Sequence, residues 1–248
     1  MISIKTKEEI ELMRKANQIV RDLLLYMEEC VKVGITTKKL DTLAHEFILK
    51  EGATPSFLGF EGFPGSICTS IDEEIVHGIP KDDRYLEEGQ IISIDVGTIY
   101  KGWNGDAART FAVGKISAEK QRLIDVTREC FFKGVEILKS GVRLGDLGHA
   151  IQTHAESNGY SVVRELCGHG IGREMHEDPN VMNFGTPGRG MRLQAGMTIA
   201  IEPMINMGSR EIEVLEDDWT VVTRDRKPAA HYENTLLITD EGVEILSL

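Results

Sequence analysis

Two acids end apolar runs in which no charge is expected: Asp95 closes IISID and Glu202 closes TIAIE. A carboxylate at the end of a buried strand is costly unless it is paired or bound to a metal. Two more acids open such runs, Asp106 before AARTFAV and Glu233 before NTLLIT. Asp106 follows Asp95 by eleven residues, across a connection carrying Gly97, Gly102 and Gly105. The four carboxylates are therefore expected at strand ends flanking one cleft. Four anions brought together raise one another's pKa unless cations compensate, and two divalent ions would cancel their charge. Among the 7 histidines, His169 stands out in GHGIG, in a loop whose glycines open access to the ring and let backbone approach closely. His176 follows in MHEDP, and His77 in EEIVHGIP sits in a rigid loop compatible with structural or catalytic use. His45, His149, His154 and His231 read as surface or hydrogen-bonded core residues, the commoner state of a histidine.

One imidazole among four carboxylates is a hard, oxygen-rich donor set. It suits Mn, Fe or Co better than a thiolate or tri-histidine zinc site, with zinc still admissible. Five ligand residues are too many for one tetrahedral ion and fit two ions bridged by carboxylates. Such a centre generates hydroxide at neutral pH and clamps a carbonyl or phosphoryl oxygen. No GxSxG, HExxH or Walker loop is present, and GHGIG precedes no convincing helix, so it is no dinucleotide fingerprint.

Four helices must position these groups. Thr6-Lys7-Glu8-Glu9 fits a capping box, followed by Ile10, Met13, Val20, Leu23 and Met27 on one face. A second helix runs from about Thr37 to Glu51 and stops at Gly52. Ser117 opens a third that continues to about Lys139, and a fourth spans about Gly145 to Asn158. Strand-like runs cover 91–97, 107–113, 161–166, 198–203, 212–215, 219–223 and 233–238. Helices followed by strands, twice over, predict an α+β fold. A single offset of 107 residues lays Gly34, Leu40 and Gly52 on Gly141, Leu147 and Gly159, and Pro80 on Pro187. It also lays Gly89, Ile92, Ile94 and Asp95 on Gly196, Ile199, Ile201 and Glu202. One register linking helix ends, strand core and a strand-terminal acid indicates two half-size units, about 1–113 and 114–248, packed about a pseudo-two-fold axis within one domain.

The chain has 248 residues, 28 Lys+Arg against 40 Asp+Glu and a formal net charge of -12, which speaks against nucleic-acid binding through phosphates and against docking on anionic lipid. At 41% hydrophobic and 27% charged the composition is that of a globular protein, not a disordered or fibrous one. The charged N-terminus has no apolar signal region, and no apolar run approaches the length of a membrane span. Cys30, Cys68, Cys130 and Cys167 form no CxxC pair and read as free thiols of a cytoplasmic protein.

The ordered set Asp95, Asp106, His169, Glu202 and Glu233, with His77 and His176, resembles the methionine aminopeptidases. The text around it matches too: PSFLGFEGFPGSICTSIDEEIVHGIP, IDVG, GDAARTF, GHGIGREMHEDP, IEPM and YENT. The resemblance covers essentially the whole chain and is to the compact bacterial type 1 form, without the zinc-binding extension of eukaryotic type 1 enzymes or the helical insert of type 2. It implies the pita-bread fold, two pseudo-symmetric halves with antiparallel sheet flanked by helices, in a single catalytic domain. It further implies that Asp95 chelates one ion, that Asp106 and Glu233 bridge both, and that His169 and Glu202 complete the second. Glu202 would also act as acid/base, while His77 and His176 contact the substrate without ligating metal. Phe60, Phe63, Cys68, Met175 and Trp219 would hold the methionine side chain. Met175 and Asn234 stand where other members carry an aromatic and a histidine. The implied reaction removes initiator methionine from nascent chains at the ribosome, favouring a small second residue, in a monomer. The nearest rival is a proline-specific peptidase of the same fold, which usually carries a separate N-terminal domain.

Overall fold

In the computed structural model, which describes residues 2–248, the first helix begins where its cap demands. The Thr6 hydroxyl accepts the Glu9 amide at 3.3 Å, and the Glu9 carboxylate accepts the Thr6 amide at 2.9 Å. Helix α1 (Lys7–Cys30) then buries Met13, Ile19, Val20, Leu23 and Met27 on one face. Helix α2 (Thr37–Lys50) ends ahead of Gly52, whose φ of +75° needs no side chain. Strands β1 (Thr54–Pro55), β2 (Ile67–Ile71), β3 (Glu74–Val76), β4 (Ile91–Tyr100) and β5 (Trp103–Ala112) follow, with one 3-10 turn at Phe60–Gly62. Two further helices come next, α3 (Ala118–Val135) and α4 (Leu144–Ser157), before a second series of strands. These are β6 (Ser161–Val162), β7 (Gly168–Gly170), β8 (Glu177–Val181), β9 (Thr198–Ile201), β10 (Met204–Asn206) and β11 (Ile212–Val214). The series ends with β12 (Val221–Thr223), β13 (Ala229–His231), β14 (Asn234–Ile238) and β15 (Val243–Ile245).

All pairings are antiparallel among the described residues. β4 carries β5 along one edge and β1 and β2 along the other, and α1 lies across this sheet. The largest sheet runs β15-β14-β9-β7-β8, and smaller ones run β13-β10-β6 and β11-β12-β3. Helices α3 and α4 pack on each other and against strands of the second series. Each helix pair covers its own core, with Leu23, Leu40, Ile67 and Ile94 in one and Phe131, Leu147, Ile151 and Ile199 in the other. Ala108 of β5 and Glu233 exchange backbone hydrogen bonds at 3.0 and 3.4 Å, so the sheets of the two cores meet there. No helix among the described residues is long and apolar enough to cross a membrane.

The expected element boundaries need four corrections. β4 and β5 are longer than the runs 91–97 and 107–113, so Asp95 and Asp106 lie inside strands and not at their ends. The true turn is only Lys101-Gly102, both at positive φ, as a two-residue hairpin requires. Gly97 and Gly105 are strand residues, needed for close approach. A Cβ on Gly105 would lie 2.8 Å from the Ala16 carbonyl carbon and the Asn17 nitrogen of α1. His169 belongs to strand β7 and not to a loop, α3 stops at Val135 and not near Lys139, and the run 161–166 is strand only over Ser161–Val162.

Gly105→Ala should therefore push α1 off the sheet and destabilise the protein by about 1–3 kcal/mol, the usual range for overpacking. The urea midpoint of the variant checks this, and an unchanged midpoint would show that α1 can shift at no cost.

Candidate metal centre

The register of one hairpin brings the first two acids together. Asp95 faces Ala108 and Gly97 faces Asp106 across β4 and β5, so Asp95 and Asp106 are diagonal neighbours on one face of the sheet. Cys68 on β2 faces Asp95 and shares that side. Behind Asp106, its amide donates to the Asn17 side chain at 3.2 Å, and Asn17 donates in turn to the Met13 carbonyl at 2.9 Å, anchoring the strand to α1. Glu202 follows β9 directly, its carbonyl accepting from Asn183 at 2.9 Å. Glu233 lies between β13 and β14, held by its backbone exchange with Ala108.

His169 is buried, which corrects the expectation of open access to its ring. The flanking glycines serve the other purpose named for them. A Cβ on Gly168 would stand 2.3 Å from the Ala200 carbonyl oxygen, and one on Gly170 2.1 Å from that of Asp178. Nδ1 of His169 lies 2.9 Å from the Gly170 carbonyl oxygen. A carbonyl can only accept, so Nδ1 carries the hydrogen and Nε2 keeps its lone pair, the state of a metal-ligating imidazole. That Nε2 points at Asp106 Oδ2, 3.6 Å away, and Glu202 Oε1, 3.7 Å away.

Donor atoms of Asp106, His169 and Glu233 all lie within 4.8 Å of one another, and so do donor atoms of Asp95, His231 and Glu233. Glu233 is common to both groups. All five expected donors therefore converge, joined by His231, which reads in the sequence as a surface or hydrogen-bonded core residue. Spacing carried the missing signal: His231 ends β13, two residues before Glu233 in HYE. His45, His149 and His154 are hydrogen-bonded outside the site, to Ser66, Thr153 and Glu129.

Asp95 Oδ1, Asp106 Oδ1, Glu233 Oε1 and both ring nitrogens of His231 are buried with no hydrogen-bond partner. No Lys or Arg among the described residues forms an ion pair with any of the four acids. The nearby Arg109 gives its N–H groups to the carbonyl oxygens of Ala108, Glu233 and Ser247 and to Asn234 Oδ1. Orphaned buried oxygens around a shared carboxylate fit divalent cations, which bind through them and supply the missing charge.

Beside the acids is a cavity of ≈ 160 Å³ walled by Phe57, Phe60, Phe63, Cys68, His77, His176 and Trp219. It is small against the ~300–1,000 Å³ of sites that enclose a drug-sized ligand, and suits one side chain. Four of the five expected pocket residues line it. Met175 does not: it is buried with Met13, Trp103 and Ile171, its Cε 2.7 Å from where a Gly97 Cβ would sit. Glu61 lines the cavity as well, and neither it nor Phe57 is among the residues the resemblance implies. His176 stands edge-on to His169, ring centroids 4.4 Å apart, and to Phe60 at 5.4 Å. His77, at φ +60°, faces Trp219 at 6.3 Å.

The model of Metallopeptidase family M24 matches residues 11–240. A methionine aminopeptidase of Clostridium acetobutylicum is 57% identical over 248 residues, covering 100% of this chain and 99% of the relative. Methionine aminopeptidase 1 of Bacillus subtilis is 49% identical, again over 100% of this chain and 99% of its own length. The crystal structure of methionine aminopeptidase from Rickettsia prowazekii superposes with a TM-score of 0.98 at 43% identity, covering 100% of both chains.

Burial pushes the carboxyls up. Asp106 rises to about 8, while Asp95, Glu202 and Glu233 are raised well above the carboxylate range by burial and then by one another's charge. Burial lowers His77 and His176 to about 4 each, so both rings are neutral at pH 7. Without metal, the folded state keeps protons that the unfolded chain releases near pH 4. Stability is then fully present below that pH and is lost as pH rises towards about 8, the folded value of Asp106. The lowered histidines, protonated in the unfolded chain below about pH 6.5, oppose this loss at lower pH. In EDTA the Tm should therefore fall from about pH 7 to pH 8, each ~1 kcal/mol lost appearing as about 2–4 °C in a chain of this size. Excess Mn²⁺ or Co²⁺ should remove the fall, because ions bind the deprotonated acids. Melting curves across that range decide it; a flat profile in EDTA would contradict the raised carboxyls.

Proposed function

Because this chain belongs to metallopeptidase family M24 and is a metallo-aminopeptidase hydrolase, we propose that it removes the initiator methionine from nascent proteins, favouring a small second residue. Its fold is the α+β pita-bread fold, antiparallel sheets flanked by helices. The observation that carries the proposal is the pair of donor groups sharing Glu233, set beside a cavity for one apolar side chain. In this reading two divalent ions bind, of Mn, Fe or Co, with zinc admissible. Asp95 would hold one; Asp106 and Glu233 would be shared by both; His169 and Glu202 would complete the second. The ions, when bound, supply Lewis acidity and a water of lowered pKa.

The protein's own groups do the rest. Phe60, Phe63, Cys68 and Trp219 take up the methionine side chain, whose thioether favours aromatic edges, and fix the peptide's N-terminal residue against the acids. His176, neutral and able to donate, hydrogen-bonds the scissile carbonyl oxygen and stabilises the charge that develops there. His77, also neutral, contacts the substrate from the Trp219 side. The Glu202 carboxylate accepts the proton lost by the attacking water and returns it to the departing amine nitrogen.

We read residues 1–248 as one catalytic domain of two related halves, about 1–113 and 114–248. The 107-residue offset supports this, for it carries α2 onto α4, each 14 residues long. We further propose a cytoplasmic monomer that meets nascent chains at the ribosome. The four free cysteines support a reducing compartment.

Loaded with Mn²⁺ or Co²⁺, the protein should cleave Met-Xaa peptides with Gly, Ala or Ser second far faster than those with Leu or Arg. Met-Ala-Ser should be preferred to Ala-Pro-Ala, and the reverse order would replace this reading with a proline-specific peptidase. Asp106→Asn and Glu233→Gln should each abolish turnover and reduce bound metal by elemental analysis; full activity in either would remove the bridging roles. His77→Ala and His176→Ala should retain metal but lower kcat by roughly 10²-fold or more. Loss of metal from these variants would make the two histidines ligands.

A further inference from the structure

His231 is 1% exposed, yet neither ring nitrogen meets a partner. A neutral imidazole has one donor and one acceptor, and burial normally satisfies both. The ring is not free to search for partners, because its backbone is pinned on two sides. On one side His231 faces Met204 across β13 and β10. On the other, its amide donates to Thr110 Oγ1 at 2.9 Å, and the same hydroxyl donates to the His231 carbonyl at 2.9 Å. Tyr232 takes the opposite face, with the Arg109 guanidinium 4.2 Å from its ring centroid. The imidazole is thereby held on the side of Glu233.

Its Nε2 lies 3.8 Å from Glu233 Oε2 and 3.9 Å from Glu202 Oε2. Those separations are too long for hydrogen bonds. The separation from Glu233, the acid shared by both donor groups, is the right size for two donors on one ion, since ligands ~2.1 Å from a metal stand up to ~4.2 Å apart. Asp95, His231 and Glu233 form one of the two compact donor groups.

We propose that His231 is a sixth donor, binding through Nε2 the ion held by Asp95 and Glu233, so that each of the two ions carries one imidazole. The inference rests on the two-ion reading above and adds to it. It replaces an all-oxygen environment on the Asp95 side with a mixed one, which moves that ion's preference from Mn²⁺ towards Co²⁺ and Zn²⁺.

The test is to load the full chain with two equivalents of Co²⁺ and record its paramagnetic proton NMR spectrum in H2O. Two strongly shifted, exchangeable imidazole N–H resonances are expected, one from His169 and one from His231. His231→Gln should lose one of them. By calorimetry it should bind one of the two Co²⁺ ions about 10–100-fold more weakly. Its Mn²⁺ affinity should change less. Melting of the metal-free variant against wild type checks folding, and His231→Asn serves if the glutamine variant does not fold. A single shifted N–H in the wild type, with unchanged Co²⁺ affinity in the variant, overturns the role of His231 and leaves the metal centre standing. A wild-type protein that binds no Co²⁺ overturns both.

Discussion

Four carboxylates converge, two of them buried and two half-buried, and no Lys or Arg among the described residues forms an ion pair with them. That constraint organises this molecule. In a low-dielectric cavity each acid either keeps a proton or meets a cation, and either way its geometry must be supplied from outside. Arg109 illustrates the point. It is half-buried beside Glu233, yet it grips the Glu233 carbonyl and not the carboxylate, so it fixes where the acid starts without competing for its oxygens.

The scaffold answers with strands packed closer than side chains allow. Gly97, Gly105, Gly168 and Gly170 each sit where a Cβ would strike a neighbouring layer, and each lies on or beside a strand that carries a donor. Small residues there let α1, β5, β7 and β9 approach until carboxylates from different strands converge. Rigid elements place ligand atoms more accurately than loops can. The substrate cavity grows from the same packing, since Cys68 shares the face of Asp95 and His176 leans on His169.

Helix starts and the two-fold recurrence of helices then strands were legible in the sequence, because caps and 3.6-residue periodicity are local. The convergence of four acids was legible because an acid bounding an apolar run is unusual wherever it occurs, and His169 because glycines flank it. What escaped was whatever depends on register. Gly97 and Gly105 look like breakers when read along the chain, and only the neighbouring helix shows why strands contain them. Met175 has the composition of a pocket residue but packs against Gly97. His231 lies two residues from Glu233, and its place beside the acids follows from the pairing of β13 with β10, which the short run HYE does not advertise.

The Ala108–Glu233 contact joins strands that are far apart along the chain, and the donors are divided across it. Asp95 and Asp106 lie on one side, His169, Glu202 and Glu233 on the other. Neither set alone encloses an ion, so the complete site exists only after long loops have closed. Metal bound there would therefore arrive late in folding and nucleate neither core. It would act as a clasp, slowing the separation of the two sheets more than it hastened their meeting.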